Sequence, residues 1–190
     1  SRTPYYLDGA RTGYRLGHGE LVDGMYRDGF LCPLCGDLMG QTAETLADDY
    51  KISREEQDLY AVESQTRCEA ARKAGRFDSE IVSVPVKGDK VLDIDEHARD
   101  GVTLESLAKL PTVFRENGTV HAGNSSGITD GGSALVLMAE DKLEGRTPLA
   151  RIAGSSVAGL DPSRMGLGPV PAFQKLRDRT GWEIKDYDLM

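Results

Sequence analysis

A mixed α/β fold is the prediction for this 190-residue chain, and three observations carry it. Apolar residues recur at helical spacing between Met39 and Ala74. Two segments, 80–86 and 133–138, alternate or run apolar in the manner of strands. Clusters of Gly, Pro, Ser and Asn separate the two kinds of segment.

Each element has a local reason. Residues 1–37 carry glycine at 9, 13, 17, 19, 24, 29 and 36, and the stretch Gly13-Tyr14-Arg15-Leu16-Gly17-His18-Gly19 reads as an exposed irregular loop. Ala43, Leu46, Ala47 and Tyr50 fall at i, i+3, i+4 and i+7, which predicts a helix over 41–50 with those four on its buried face. Ser53-Arg54-Glu55-Glu56 is a capping box: the Ser hydroxyl accepts from the backbone three residues on while Glu56 reaches back. It opens a helix over 54–74, carried by Leu59, Val62, Cys68, Ala71 and Ala74 and stopped by Gly75. Residues 80–86 are β-rich, and Pro85, lacking an N–H, marks an edge strand. Residues 91–94 are its expected pairing partner. Thr103 caps a short helix over 104–110 that Pro111 ends. An extended stretch over 119–122 precedes the most unusual segment, Gly123-Asn124-Ser125-Ser126-Gly127-Ile128-Thr129-Asp130-Gly131-Gly132. A buried strand is then predicted over 133–138, a further strand over 149–157, a glycine-rich turn over 161–169, a helix over 171–179 and a last strand from Tyr187.

Composition excludes several classes. A hydrophobic fraction of 39% supplies a packed core, and 28% charged residues of both signs argue against wholesale disorder. The net charge of −8 is opposite to what a phosphate backbone attracts, so nucleic acid is not an expected partner. No apolar run approaches the roughly 20 residues that span a bilayer, and no signal-peptide pattern opens the chain. Three cysteines cannot all pair, which points to a reducing, cytoplasmic setting. Because residue 1 is Ser rather than Met, the natural start is expected to lie elsewhere.

Candidate chemistry is sparse. Cys32-Pro33-Leu34-Cys35 is a C-x-x-C, but a structural zinc site needs two further ligands, and only Cys68 and the scattered His18, His97 and His121 remain. The motif therefore reads as two ordinary buried or half-buried cysteines, and no metal is expected. His97 follows Asp95-Glu96 and reads as a solvated histidine rather than a base. His121 either lines a ligand site or is a strand residue with its own hydrogen bond; spacing decides neither. The 123–132 segment either lets a ligand approach the backbone closely or makes a tight connection into the next strand. It matches neither G-x-x-x-x-G-K-[ST] nor G-x-G-x-x-G.

Several blocks, read together, resemble a known family. They are Met39-Gly40-Gln41-Thr42-Ala43-Glu44, Ser53-Arg54-Glu55-Glu56-Gln57-Asp58, Gly75-Arg76-Phe77 with Glu80-Ile81-Val82, and Asp95-Glu96-His97-Ala98-Arg99. They continue through 104–110, Gly118-Thr119-Val120-His121-Ala122-Gly123-Asn124-Ser125-Ser126-Gly127, Asp130-Gly131, Gly166-Leu167-Gly168-Pro169-Val170-Pro171-Ala172 and Asp188-Leu189. In this order and spacing they resemble the thiolases, from about residue 36 onward.

The resemblance implies an incomplete αβαβα thiolase-like fold. Residues 1–131 would be the loop domain that covers the coenzyme, 132–146 the last strand of the N-terminal half, and 147–190 the start of the C-terminal half. It implies acyl transfer between coenzyme A thioesters, in condensation or thiolysis, with coenzyme A or acyl-CoA as substrate and no permanently bound cofactor. The alternative is a non-catalytic thiolase-like protein that binds coenzyme A or its acyl esters. Carried over by position, Arg99 resembles the arginine at the adenine and phosphate end, and Ser106 the serine at the adenosine part. Leu110 and Phe114 resemble apolar residues along the pantetheine channel. Ala122 and Ser126 resemble the carbonyl and hydroxyl that meet the pantetheine amides, while Met39 and Met165 resemble methionines walling the acyl end. The family's nucleophilic cysteine, its catalytic histidine, its Asn-Glu-Ala-Phe motif and its second cysteine match no position in 1–190. No catalytic residue is therefore assigned, and the segment alone is expected to be inactive and association-prone. A homodimer or homotetramer is the implied assembly. Two departures stand out. Leu38 stands where some acetoacetyl-type members have histidine, which leaves the acyl substrate open, and His121 where threonine is common.

Overall fold

Helix α1, Met39–Tyr50, begins where the Gln41 side-chain carbonyl turns back to accept the Leu38 N–H at 2.7 Å. It ends with Lys51 in the left-handed region (φ 55°), the Lys51 and Ile52 N–H groups closing on the Asp48 and Ala47 carbonyls. The computed structural model describes residues 2–190. These divide into two compact units, residues 43–128 in one and residues up to 42 with 129–190 in the other.

In the 43–128 unit, helix α2, Arg54–Lys73, starts at the anticipated capping box, both of whose hydrogen bonds form. Past its end, the Gly75 N–H meets the Arg72 carbonyl and the Arg76 N–H the Ala71 carbonyl. That is a Schellman closure, with Gly75 at φ 68° where a side chain would be strained. Strands β3, Val84–Val86, and β4, Lys90–Leu92, pair antiparallel with Val84 opposite Leu92. Helix α3, Leu104–Ala108, is capped by Thr103 as predicted, is two residues shorter than predicted, and packs on α2.

The buried face of α1 differs from the prediction. Thr42, Glu44 and Ala47 are buried, whereas Ala43 and Tyr50 are exposed. Burial follows the hydrogen bonds that Glu44 makes rather than the apolar periodicity. Likewise, on α2 the most buried residue is Asp58, while Leu59 is half exposed. Among the described residues the buried apolar side chains are Ala47, Leu107 and Val120; the buried polar ones are Thr42, Glu44, Asp58 and His121.

In the other unit, strands β1, Tyr5–Leu7, and β2, Leu21–Asp23, form an antiparallel hairpin that the glycine-rich composition did not suggest. A π-helical turn, Tyr26–Phe30, follows. The predicted strands over 133–138 and 149–157 do not form. Leu135 and Val136 are 86% and 93% exposed, and no ladder partner reaches them among the described residues. An apolar run becomes a strand only when a neighbouring backbone accepts its N–H and C=O groups. The end of the second run is instead tied to helix α4, Pro169–Thr180. Arg179 Nη1 donates to the Ser155 carbonyl (2.8 Å), Lys175 Nζ to that of Val157 (3.2 Å), and Ser156 donates to Ala172. Residues 162–167 wind into 3₁₀ turns rather than an open turn. The last predicted strand is also absent; Tyr187 packs edge-on against Phe173 and Trp182, at 5.7 and 5.9 Å between centroids. Among the described residues no helix is long and apolar enough to cross a membrane.

Candidate functional site

The 118–127 segment is positioned by two buried carboxylates, one on α1 and one on α2. Glu44, 2% exposed, accepts the Thr119 N–H (2.7 Å), the Thr119 hydroxyl (2.9 Å) and the Val120 N–H (2.8 Å), and meets Arg115 Nη2 at 3.2 Å. Arg115 in turn reaches Asp48, whose carboxyl it holds below the ordinary value through that hydrogen bond. The carboxylate fills the space beside Gly118, where a Cβ would collide with it. One side chain thus satisfies donors that would otherwise be buried unpaired.

Asp58, 4% exposed, meets His121 Nε2 at 2.7 Å, Arg54 Nε at 3.5 Å and Asn124 Nδ2 at 3.4 Å. The Asn124 side chain also accepts the His121 N–H (2.8 Å) and donates to the Thr119 carbonyl (3.0 Å). His121 is completely buried. Of its two open readings, the one that stands is a histidine with its own hydrogen bonds.

The rest of α2 continues as a polar rack. Arg54 Nη2 donates to the Leu107 and Leu110 carbonyls at 2.8 and 2.7 Å. The Gln65 side chain accepts the Arg99 N–H (3.3 Å), Glu69 accepts the Gly101 N–H (3.0 Å), and Arg72 pairs with Asp100. Lys73, hydrogen-bonded to Glu69, and the Gly101 N–H together hold the Glu69 carboxyl below its ordinary value. One helix face therefore fixes both the 99–110 stretch and the 121–124 turn.

Glycine has a specific use here. A Cβ on Gly123 would lie 2.5 Å from Leu107 Cδ2 and 2.8 Å from Leu110 Cδ1, and one on Gly127 would strike the His97 ring. These two glycines admit the protein's own side chains, whereas nothing lies within 4 Å of a Cβ on Gly131 or Gly132. The 123–132 segment leads into no strand.

Six of the eight expected contact residues lie in the 43–128 unit. Leu110 abuts Gly123, next to Ala122, and the segment bearing His97 and Arg99 abuts Gly127, next to Ser126. Arg99, Ala122 and Ser126 are exposed, and Leu110 and Phe114 are half-buried. The Phe114 turn is held by the Val113 N–H donating to the Val120 carbonyl at 3.1 Å. Ser106 is exposed, but its hydroxyl donates to the Thr103 carbonyl (2.7 Å) and accepts the Thr103 N–H (3.1 Å), so it serves the helix cap. Met39 and Met165 belong to the other unit, each a little under half exposed. An open cleft of about 530 Å³ lies beside α2 and α3, lined by Arg54, Glu55, Asp58, Leu104, Glu105 and Ala108. Three carboxylates on its wall suit an anionic ligand poorly.

Cys32 and Cys35 sit on a turn closed by the Gly36 N–H on the Cys32 carbonyl, between the bridged Leu31 and Leu38, and both are half-buried as expected. Backbone N–H groups of Cys35 and Leu34, and the Cys35 thiol, draw the Cys32 thiol below its ordinary value. The Cys35 thiol is raised, burial and the Cys32 thiol outweighing the Asp37 N–H that pulls the other way. Among the described residues no group of three or more His, Cys, Asp and Glu side chains is arranged to hold a metal ion.

Comparison with known proteins adds what the geometry does not. Residues 1–141 match the model of the thiolase N-terminal domain, and 146–190 that of the thiolase C-terminal domain. The chain belongs to the thiolase family. It is 46% identical to an acetyl-CoA acetyltransferase of Pseudomonas aeruginosa, with all of this chain and 50% of that protein aligned. It is 43% identical to the mitochondrial 3-ketoacyl-CoA thiolase of Mus musculus over all of this chain and 49% of that protein. Among solved structures, the Bacillus anthracis acetyl-CoA acetyltransferase superposes with a TM-score of 0.89 at 44% identity, over 98% of this chain and 48% of that one. The human mitochondrial 3-ketoacyl-CoA thiolase in complex with CoA also gives 0.89 at 44% identity, over 99% and 48%. The thiolase fold here is incomplete: the chain spans about half the length of the relatives it matches.

The two carboxylates that build this thiolase segment were not singled out as site residues by sequence reasoning. Glu44 and Asp58 appear there only as letters within family blocks. The available signal was an acidic residue on the inward side of each helix, three or four positions from apolar neighbours, where an apolar residue is the norm.

Proposed function

We propose that this chain contains the coenzyme-covering part of a thiolase that moves acyl groups between coenzyme A thioesters. The observation that carries the reading is the 118–127 turn: Glu44 holds its backbone and Asp58 its His121 and Asn124 side chains on the protein side, while Ala122 and Ser126 remain exposed. That is the arrangement a site needs if it is to offer a fixed carbonyl and a hydroxyl to the amides of a pantetheine arm. Leu110 and Phe114 would supply the apolar wall of the channel. Arg99 would supply a permanent cation for the phosphate and adenine end. Ser106 would act there less through its hydroxyl, already used in the α3 cap, than through the surface that the cap presents. Met39 and Met165 would wall the acyl group.

In the intact enzyme a cysteine thiolate would attack the thioester carbonyl and release the coenzyme thiol. The acyl group would then pass to a carbon or sulfur nucleophile, with preorganised donors stabilising the oxyanion. Residues 1–190 supply binding to this sequence of steps and no nucleophile. The division into residues 1–131, 132–146 and 147–190 belongs to the same proposal, as do a homodimeric or homotetrameric assembly and a cytoplasmic location. The exposed 133–138 run supports association, since unpaired apolar strands seek partners.

The test is thiolysis of acetoacetyl-CoA by the full-length protein, beside calorimetric titration of the 190-residue chain with coenzyme A. Turnover in the first and binding without turnover in the second is the expected pair of results. Binding without turnover in both would favour the non-catalytic alternative, and absence of binding in both would end the reading.

A further inference from the structure

His121 is a fully buried imidazole on a turn whose neighbours Ala122, Ser125 and Ser126 are exposed. Both its ring nitrogens are engaged. The Gly123 N–H points at Nδ1 from 3.1 Å, so Nδ1 is the acceptor and the ring proton sits on Nε2. From there it is donated to Asp58 Oδ1 at 2.7 Å. The other oxygen of Asp58 faces Arg54, whose Nη2 holds the Leu107 and Leu110 carbonyls. A continuous path of hydrogen bonds thus runs from the end of α3 through Arg54, Asp58 and the imidazole to the Gly123 amide. The two stretches it joins are those that carry Ser106 with Leu110 and Ala122 with Ser126.

We propose that His121 is a positioning residue for coenzyme binding, clamped between Asp58 and the Gly123 amide so that the Ala122 carbonyl and Ser126 hydroxyl hold their register against α3. The inference rests on the coenzyme-binding reading of the 118–127 turn. The charged groups around the clamp act in concert: Asp58 and Arg54 from α2 face the ring side, and Glu44 from α1 holds the Thr119 and Val120 amides just before it. A threonine at this position would be too short to meet Asp58 and fold back on its own turn as the imidazole does. The imidazole binds nothing from outside. It fixes the backbone that would do so.

Three variants of the full-length enzyme separate the contributions. His121→Asn keeps an acceptor near the place of Nδ1 and loses the donor to Asp58; His121→Gln keeps a donor that reaches Asp58 and loses the acceptor; His121→Ala loses both. For His121→Ala the expected result is a rise of about tenfold in KM for coenzyme A with kcat within about twofold, the signature of lost uniform binding. The Asn and Gln variants should each recover part of that loss, about threefold worse than the parent. They also carry the test should the alanine variant fail to fold. A ¹⁵N spectrum of the parent should show the neutral Nε2–H tautomer.

An unchanged KM in folded variants would overturn the proposal, as would a fall in kcat at constant KM or a proton on Nδ1. Ser126→Ala and Arg99→Ala, measured alongside, distinguish the failures. If they raise KM and the His121 variants do not, only the positioning role falls. If none of them changes KM, the coenzyme reading falls as well.

Discussion

The 43–128 unit and the segment from 129 to 157 spend the same kinds of residue in opposite ways. In the first, buried charges organise the backbone: Glu44 and Asp58 each gather several donors, and Arg54, Gln65 and Glu69 extend the pattern along α2. In the second, a run as apolar as Ser-Ala-Leu-Val-Leu-Met lies exposed, with no ladder formed. Hydrophobicity thus does not predict regular structure here; satisfied backbone groups do. An apolar segment gains by burial only where another surface covers it, whereas a carboxylate that meets two amide donors and a hydroxyl fixes a loop locally.

The largest test of this contrast is Glu44→Ala. Removing the carboxylate leaves the Thr119 and Val120 amides without their acceptor, while Arg115 keeps Asp48, and a loss of about 3–5 kcal/mol in urea unfolding is expected. A loss below about 1 kcal/mol would show that the buried charge does not organise the turn. Next comes Leu107→Ala, which empties the contact between α3 and Gly123. A truncation of this kind costs about 2–4 kcal/mol, and calorimetric melting should register it.

Acid should act more gently. Lys73 and the Gly101 amide hold Glu69 down, the Ser53 amide and hydroxyl hold Glu56 down, and Arg115 holds Asp48 down. Each folded-state value lies below the unfolded one, so between the two the unfolded chain binds more protons. The stabilisation is therefore complete above about pH 4.5 and lost as pH falls through the folded values. Urea midpoints measured from pH 6 downward should be flat and then decline. A midpoint that rises on acidification would contradict the assignment. Smallest of all is Val136→Ser in the 190-residue chain, expected to shift stability by less than about 0.5 kcal/mol because the side chain already faces solvent. In the full-length protein the same change tests whether the run is covered there; a cost above about 1 kcal/mol would show that it is.

What was legible followed local rules. The capping box at Ser53, the cap at Thr103, the stop at Gly75 and a pairing between the stretches expected over 80–86 and 91–94, which forms over 84–86 and 90–92, depend on atoms a few residues apart, so sequence order specifies them. The buried side of α1 did not follow apolar periodicity, because Glu44 finds its partners 71 to 76 residues along the chain. The strands over 133–138 and 149–157 failed for a related reason: alternation and apolarity state what a strand needs and not whether a neighbour supplies it.

The candidate site divides the same way. Arg99, Leu110, Ala122 and Ser126 are proposed from the family resemblance, and the turn that carries the last two is where the polar anchors converge. The anchors themselves were not read as such. His121 had two open roles in the sequence, and Asp58 had none, because an Asp in a helix is ordinarily a solvated residue. By itself the sequence determined the helices, their caps and the membership of the thiolase family, each encoded in neighbouring residues or in an ordered series of blocks. Only the tertiary structure decided which polar residues are buried, which glycines admit a side chain and which apolar runs stay bare. Those outcomes depend on what a distant segment of chain brings within hydrogen-bonding or van der Waals reach.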